Sequence, residues 1–226
     1  MRVNLILSSD IVARVLMILE GVGVIAFALS GVLAAVRKRL DVVGVVFVAF
    51  VTALGGGTLR DVLLDRQPFF WVAHEEWVWV VIGLGVVGAV VLRSRHFEPT
   101  FRAIQWPDAI GLGLFAAAGT QIALDSGSTP LIATLMGVVT AAVGGLLRDV
   151  LLNEIPWVVG SYQLYAIIAF GGGWLVWLLG LLGMASVWAV GISAVAISLT
   201  RVSAIRFNWQ LPNWRRDDHT GAIHLS

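Results

Sequence analysis

Strongly apolar, largely uncharged runs, separated by short clusters of charge and turn residues, divide the chain into seven stretches near residues 14–36, 42–63, 77–92, 108–124, 130–152, 162–181 and 184–200. Each approaches the roughly 20 residues that an α-helix needs to cross a bilayer. The last two share a run from Ile155 to Thr200 with no charged residue in 46 positions, too long for one crossing and suited to two that turn near Gly180–Met184. The runs do not alternate polar with apolar, and they far exceed the roughly 10 residues of a membrane β-strand. The pattern predicts an all-α membrane protein with seven transmembrane helices.

Composition narrows the class. Of 226 residues, 58% are hydrophobic and 13% charged, and the mean hydropathy is +0.90; soluble domains carry roughly 25% charge. Soluble enzymes and nucleic-acid binders are excluded, and the absence of cysteine removes disulfides, thiolate metal sites and cysteine nucleophiles. Seven spans leave no room for a separate soluble domain, so residues 1–226 are expected to form one transmembrane unit ending in a polar tail, 201–226. The stretch Met1–Ser9 has one Arg and an apolar run cut off by Asp10, followed by Arg14 and Glu20. That is too interrupted for a signal peptide, and the first helix is expected to remain in the mature chain.

Charge placement sets the expected orientation. Alternate connections hold eleven Lys and Arg, including Arg37, Lys38, Arg39, Arg93, Arg102, Arg148 and Arg201, against four on the other side, Arg2, Arg14, Arg60 and Arg66. The positive-inside rule puts the eleven in the cytoplasm, the N-terminus outside and the C-terminus inside. Asp10, Asp65, Glu75, Glu76 and Asp125 then lie toward the outside, either as solvated loop charges or as a group that enriches cations at an outer mouth. Trp71, Trp77, Trp157, Trp188 and Trp209 sit near span ends as interfacial anchors.

The chain repeats itself. Shifted by 88 residues, positions 23–68 align with 111–156 without a gap and with 17 identities in 46. The identities concentrate in Val51–Leu64 against Val139–Leu152, and a proline follows each block at the same distance, Pro68 and Pro156. Each unit contains three spans, repeat one near 14–92 and repeat two near 108–181. An odd number makes the second copy enter the membrane in the opposite sense, giving two inverted three-helix repeats and a seventh helix at 184–200. Inverted repeats commonly surround a pathway with its site near the midplane, which makes transport the leading class.

The repeated block carries the candidate chemistry. Gly55, Gly56 and Gly57 in span two, and Gly144 and Gly145 in span five, each weaken the helix by about 1 kcal/mol relative to alanine, and kinks are expected there. Carbonyls freed at a kink are tolerated where they line a cavity and are suited to partial coordination of a monovalent cation; the same glycines also permit close helix packing. Arg60–Asp61 and Arg148–Asp149 lie about one turn inside the ends of spans two and five, where ionisable groups are functional candidates. Adjacent helical residues do not face each other, so a local ion pair is not required. The arginines are expected to brace or gate the path, or to snorkel, while Asp61 and Asp149 are the more natural pore-facing charges. Thr52 and Thr140 offer hydroxyls to a path or bond their own backbone. Glu20, Ser30 and Gln121 either line a path or join helices. His74 with Glu75 and Glu76 reads as a solvated turn, and no metal site is expected; His96, His219 and His224 lack ligand spacing. The tail, with Trp209, Trp214, Arg215 and Arg216, is suited to contact with anionic lipid.

The paired motifs Gly-Gly-Gly-Thr-Leu-Arg-Asp-Val at 55–62 and Gly-Gly-Leu-Leu-Arg-Asp-Val at 144–150, each followed by a proline in a 3+3+1 arrangement, resemble those of the prokaryotic trimeric intracellular cation (TRIC) channels. The resemblance covers about residues 14–200. It implies a homotrimer in a prokaryotic inner membrane, each subunit with its own potassium-conducting pore bounded by the kinked spans two and five, with the five glycines as kink and cation-contact positions. The Lys-Glu-Val motif of the eukaryotic members is absent, and with it the basis for carrying over gating by calcium, voltage or phosphoinositide. No cofactor is implied beyond permeating potassium or sodium and bound membrane lipid. Related bacterial sequences are also called glycine transporters, so secondary transport of a small amino acid is the alternative. A membrane scaffold, with the small residues serving packing alone, is a third.

Overall fold

The computed structural model describes residues 2–94, 99–159 and 164–209. Among these the chain forms eight helices: α1 (Arg2–Arg37), α2 (Val42–Leu63), the single-turn α3 (Phe70–Ala73), α4 (Glu76–Ser94), α5 (Phe101–Asp125), α6 (Pro130–Leu151), α7 (Tyr165–Leu181) and α8 (Ser186–Arg206). By length and composition α1, α2, α5, α6 and α8 suffice to cross a membrane, and α4 and α7 are shorter apolar helices. Spans two and five of the sequence are therefore α2 and α6, matched to within one residue.

Local chemistry explains the ends. The Asp41 carboxylate accepts the Gly44 N–H at 2.7 Å and caps α2; Pro130 occupies the first turn of α6, where its missing N–H costs nothing. Both helices end in a left-handed residue, Asp65 with φ 50° and Asn153 with φ 54°, which are equivalent in the repeat. Asp and Asn adopt that conformation more readily than most side chains. Helix α1 starts at Arg2 rather than near 14, and two further boundaries differ from expectation. Helix α5 starts at Phe101 rather than near 108 because Thr100 caps it, accepting the Ala103 N–H at 3.2 Å, and Pro107 is accommodated inside the helix. Helix α8 continues to Arg206, so Arg201 belongs to a buried helix face and not to the tail. The remainder of the expected tail, 210–226, and His96 lie outside the described residues.

The two halves are inverted. Lys38, just after α1, pairs with Glu154, just after α6, so these helices finish at the same end of the bundle. Arg66 is the repeat equivalent of Glu154, yet it follows α2, which starts beside Lys38 and runs away from it, and its partner is Asp61. The approximate two-fold axis passes between Phe27 and Phe115, themselves equivalent, with ring centroids 5.2 Å apart. A Cβ on Gly23 would press on Phe115, and one on its equivalent Gly111 would press on Phe27. The halves thus interlock by exchanging aromatic rings into glycine notches. Large apolar side chains such as Val43, Phe47, Val62, Val150 and Leu199 are exposed on the outer surfaces of the helices, as lipid contact requires. Since the chain lacks cysteine, Arg66→Cys and Glu154→Cys give single thiols. A membrane-impermeant reagent added to one side should label only one of them, and same-side labelling of both would contradict the inversion.

Candidate functional site

Near the end of α2, Arg60 is completely enclosed, as is Arg148 near the end of α6, at 0% and 1% exposure. A buried guanidinium is tolerable only if carboxylates and hydrogen bonds replace its lost hydration. Arg60 donates from Nε and Nη2 to Asp61 Oδ1 at 2.9 and 2.7 Å, and from Nη1 to Glu20 on α1 at 2.5 Å. Arg148 donates from Nε to Asp149 Oδ1 at 2.8 Å, and from Nη1 to Asp108 on α5 at 2.7 Å. Glu20 and Asp108 are 88 residues apart. Each half therefore builds the same three-charge unit, one arginine held by its neighbour and by a carboxylate from the half's first long helix.

The remaining oxygen of each aspartate clamps the chain beyond the helix. Asp61 Oδ2 accepts the Phe70 N–H at 2.9 Å, and Asp149 Oδ2 accepts the Trp157 N–H at 3.1 Å. The rings of those two residues lie over the arginines, with centroids 5.6 Å from Arg60 Cζ and 4.3 Å from Arg148 Cζ, adding cation–π attraction. Trp157 is thus a lid on Arg148 as well as a residue near a helix end. The units then diverge. At the Arg60 end, the half-exposed Arg66 adds a contact to Asp61 at 3.2 Å. At the Arg148 end, Ser30 accepts from Arg148 Nη1 and donates to the Ile104 carbonyl, while Arg201 lies 5.0 Å from the Tyr165 ring centroid. Tyr165 donates its hydroxyl to the Ala141 carbonyl at 3.3 Å.

Between the two ends α2 crosses α6 at the glycines. A Cβ on Gly56 would fall on the Thr140 carbonyl oxygen, and a Cβ on its equivalent Gly144 would fall on the Thr52 carbonyl oxygen. Backbone thus meets backbone, as small residues allow in membrane interiors. Helical structure continues through Gly55–Gly57 and Gly144–Gly145 without interruption. The other glycines have different surroundings. Gly57 lies under the Phe70 ring and Gly55 against Leu147, whereas a Cβ on Gly145 would meet only ordinary contacts, at 3.4 Å from Asp108 Oδ1 and 3.5 Å from the Tyr165 hydroxyl. Thr52 and Thr140 bond their own backbone, each donating at 2.6 Å to the carbonyl four residues earlier. A cavity of about 720 Å³ opens at the Arg60 end, with Glu20, Arg66, Phe70, His74 and Asp125 in its lining.

Most of the chain resembles known membrane proteins. The family model described as "Glycine transporter" matches residues 17–94 and 105–180. The UPF0126 inner membrane protein YadS of Escherichia coli K12 is 35% identical over 209 residues, covering 89% of this chain and 97% of that one. The solved TRIC trimeric intracellular cation channel orthologue from Rhodobacter sphaeroides superposes with a TM-score of 0.79 at 35% identity, covering 86% of this chain and 99% of that one. A prokaryotic TRIC channel solved in 0.5 M KCl gives 0.80 at 28% identity, covering 88% and 100%. The chain belongs to the prokaryotic TRIC channel family.

In this TRIC family member the motif residues do assemble, but with roles that spacing alone did not reveal. Both Arg–Asp neighbours form ion pairs, because the long arginine side chain curls back to the next residue even though their helical positions diverge. Both carboxylate oxygens of Asp61 and of Asp149 are engaged by the described contacts. Glu20 and Ser30 join helices through the arginines, and Gln121 donates to Asp125 on its own helix at 2.8 Å. His74 faces Glu76 at 3.2 Å in an exposed turn. The sequence reasoning overlooked Asp108, although extending the 88-residue comparison three positions before Gly23 and Gly111 pairs it with Glu20. It also overlooked Tyr165, which no repeat signal marks.

Proposed function

We propose that this protein is a cation channel that passes monovalent ions, chiefly potassium, through a pathway inside each subunit of a homotrimer in a prokaryotic inner membrane. The observation that carries the proposal is likeness over 86–88% of this chain to solved TRIC cation channels at 28–35% identity. The geometry is consistent with it. A wide, partly acidic cavity leads toward Glu20 and Arg60, and acidic groups at a mouth concentrate cations. Arg60 and Arg148 are each paired with two carboxylates, so they hold the helices without presenting an uncompensated positive barrier. Gating is assigned to movement of α2 against α6 at Gly55–Gly57 and Gly144–Gly145, where absent side chains let the helices bend or slide. The orientation is taken from charge, with the Arg148 end cytoplasmic.

Proteoliposomes loaded with potassium chloride test the proposal. Purified protein should release potassium down its gradient with a flux that rises linearly with driving force. The second reading, secondary transport of a small amino acid, draws on the description of the matching family model and on a cavity open at one end. Saturable glycine uptake without ohmic current would favour it.

A further inference from the structure

The cavity at the Arg60 end has a repeat image at the other end, and the image is shut. Leu16, Arg66, Ile122, Asp125 and Ser126 line the open cavity of about 720 Å³. Their equivalents 88 residues away, Ile104, Glu154, Ala34, Arg37 and Lys38, line a space of only about 30 Å³. The same shell of positions, built from equivalent helices, is therefore wide at one end and closed at the other.

The polar residues at these positions differ between the ends. Lys38 Nζ meets Glu154 Oε1 at 2.5 Å, tying the turn before α2 to the turn after α6 across the closed mouth. Arg37 adds a second tie, donating to the Pro99 carbonyl at 2.9 Å with its guanidinium 3.8 Å from the Phe101 ring centroid. At the open end Lys38 is replaced by Ser126 and Glu154 by Arg66, which cannot form an ion pair. Arg37 is replaced by Asp125, whose carboxylate accepts from Gln121.

We infer that Lys38 and Glu154 form a latch over the Arg148-end mouth, and that its release opens a second vestibule matching the one at the Arg60 end. Both side chains are more than a third exposed, at 36% and 41%. Exposed pairs of this kind shift an equilibrium by no more than about fivefold and are screened by salt. The latch is therefore weak enough to open readily and becomes weaker as ionic strength rises. Its effect on current rests on the permeation proposed above; its effect on access to the closed space does not.

The test uses single thiols in the otherwise cysteine-free chain, in membranes. Ala34→Cys reports on the closed space and Ile122→Cys, its repeat equivalent, on the open one. At low salt, Lys38→Gln and Glu154→Gln should each raise the rate at which a small hydrophilic thiol reagent labels Ala34→Cys by up to about fivefold. The charge swap Lys38→Glu with Glu154→Lys should return that rate to its starting value, Ile122→Cys should be unaffected, and high salt should erase the difference. Unchanged labelling in both single variants, or a swap that fails to restore closure, would overturn the latch. Faster labelling without cation current would retain the latch and remove the permeation proposal.

Discussion

Arg148→Leu should lower the stability of the folded protein by about 3–5 kcal/mol, the range for breaking a buried ion pair by deleting one partner. The guanidinium is 1% exposed and holds Asp108, Asp149 and Ser30 together. Leucine would leave two buried carboxylates without their cation, and the Trp157 ring would lose the guanidinium beneath it. Arg148→Lys should recover only part of the loss, because an ammonium cannot donate from one rigid fork to carboxylates on two helices. Adding Asp108→Leu to Arg148→Leu should cost less than the sum of the single changes, since each removes a charge the other leaves unpaired. Thermal unfolding in detergent, followed by loss of monodisperse protein, reads all four variants. A loss below about 1 kcal/mol for Arg148→Leu would mean that water already reaches the cluster.

The second large effect separates neighbouring glycines. Gly144→Ala should destabilise by about 1–3 kcal/mol or more, because the new methyl falls on the Thr52 carbonyl, a backbone atom that moves only if α2 moves with it. Gly56→Ala should behave likewise against Thr140. Gly145→Ala, one residue along, should be near neutral: its methyl would meet nothing closer than 3.4 Å, and alanine gains about 1 kcal/mol of helix propensity. Equal losses at 144 and 145 would show that backbone flexibility, rather than helix contact, is what these glycines provide.

Those contrasts mark where the sequence was informative. Lipid demands long apolar helices, so α2 and α6 could be located almost to the residue, and the 88-residue repeat required inversion because each unit has three spans. The partner of each arginine was harder to see. Glu20 and Asp108 are alike in charge but not identical, and they lie just before the matched block. Arg201 resembled a helix end because a charge usually marks one; it is buried instead, with the ring of Tyr165, 36 residues earlier, 5.0 Å from its guanidinium. A run of glycines says that side chains are missing, but not whether a bend, a neighbouring helix or a ring fills the space. At Gly56 and Gly144 it is a helix, and at Gly57 it is the Phe70 ring. The aspartate clamps on Phe70 and Trp157 depend on how the chain turns after α2 and α6, information that helical periodicity does not contain.

The inverted arrangement gives the two ends different surroundings from one motif. The charged units of Arg60 and Arg148 hold α1 to α2 and α5 to α6, and the glycine crossing holds α2 to α6. A change in the angle of that crossing would move both ends together, whereas the Lys38–Glu154 tie acts at one end only.

The most direct test of cation conduction is the reversal potential of purified protein in planar bilayers under a potassium chloride gradient. The potential should lie close to the potassium equilibrium value and shift toward zero when sodium replaces part of the potassium on the concentrated side. A reversal at the chloride equilibrium value, or no current from protein that is folded and inserted, would contradict the account.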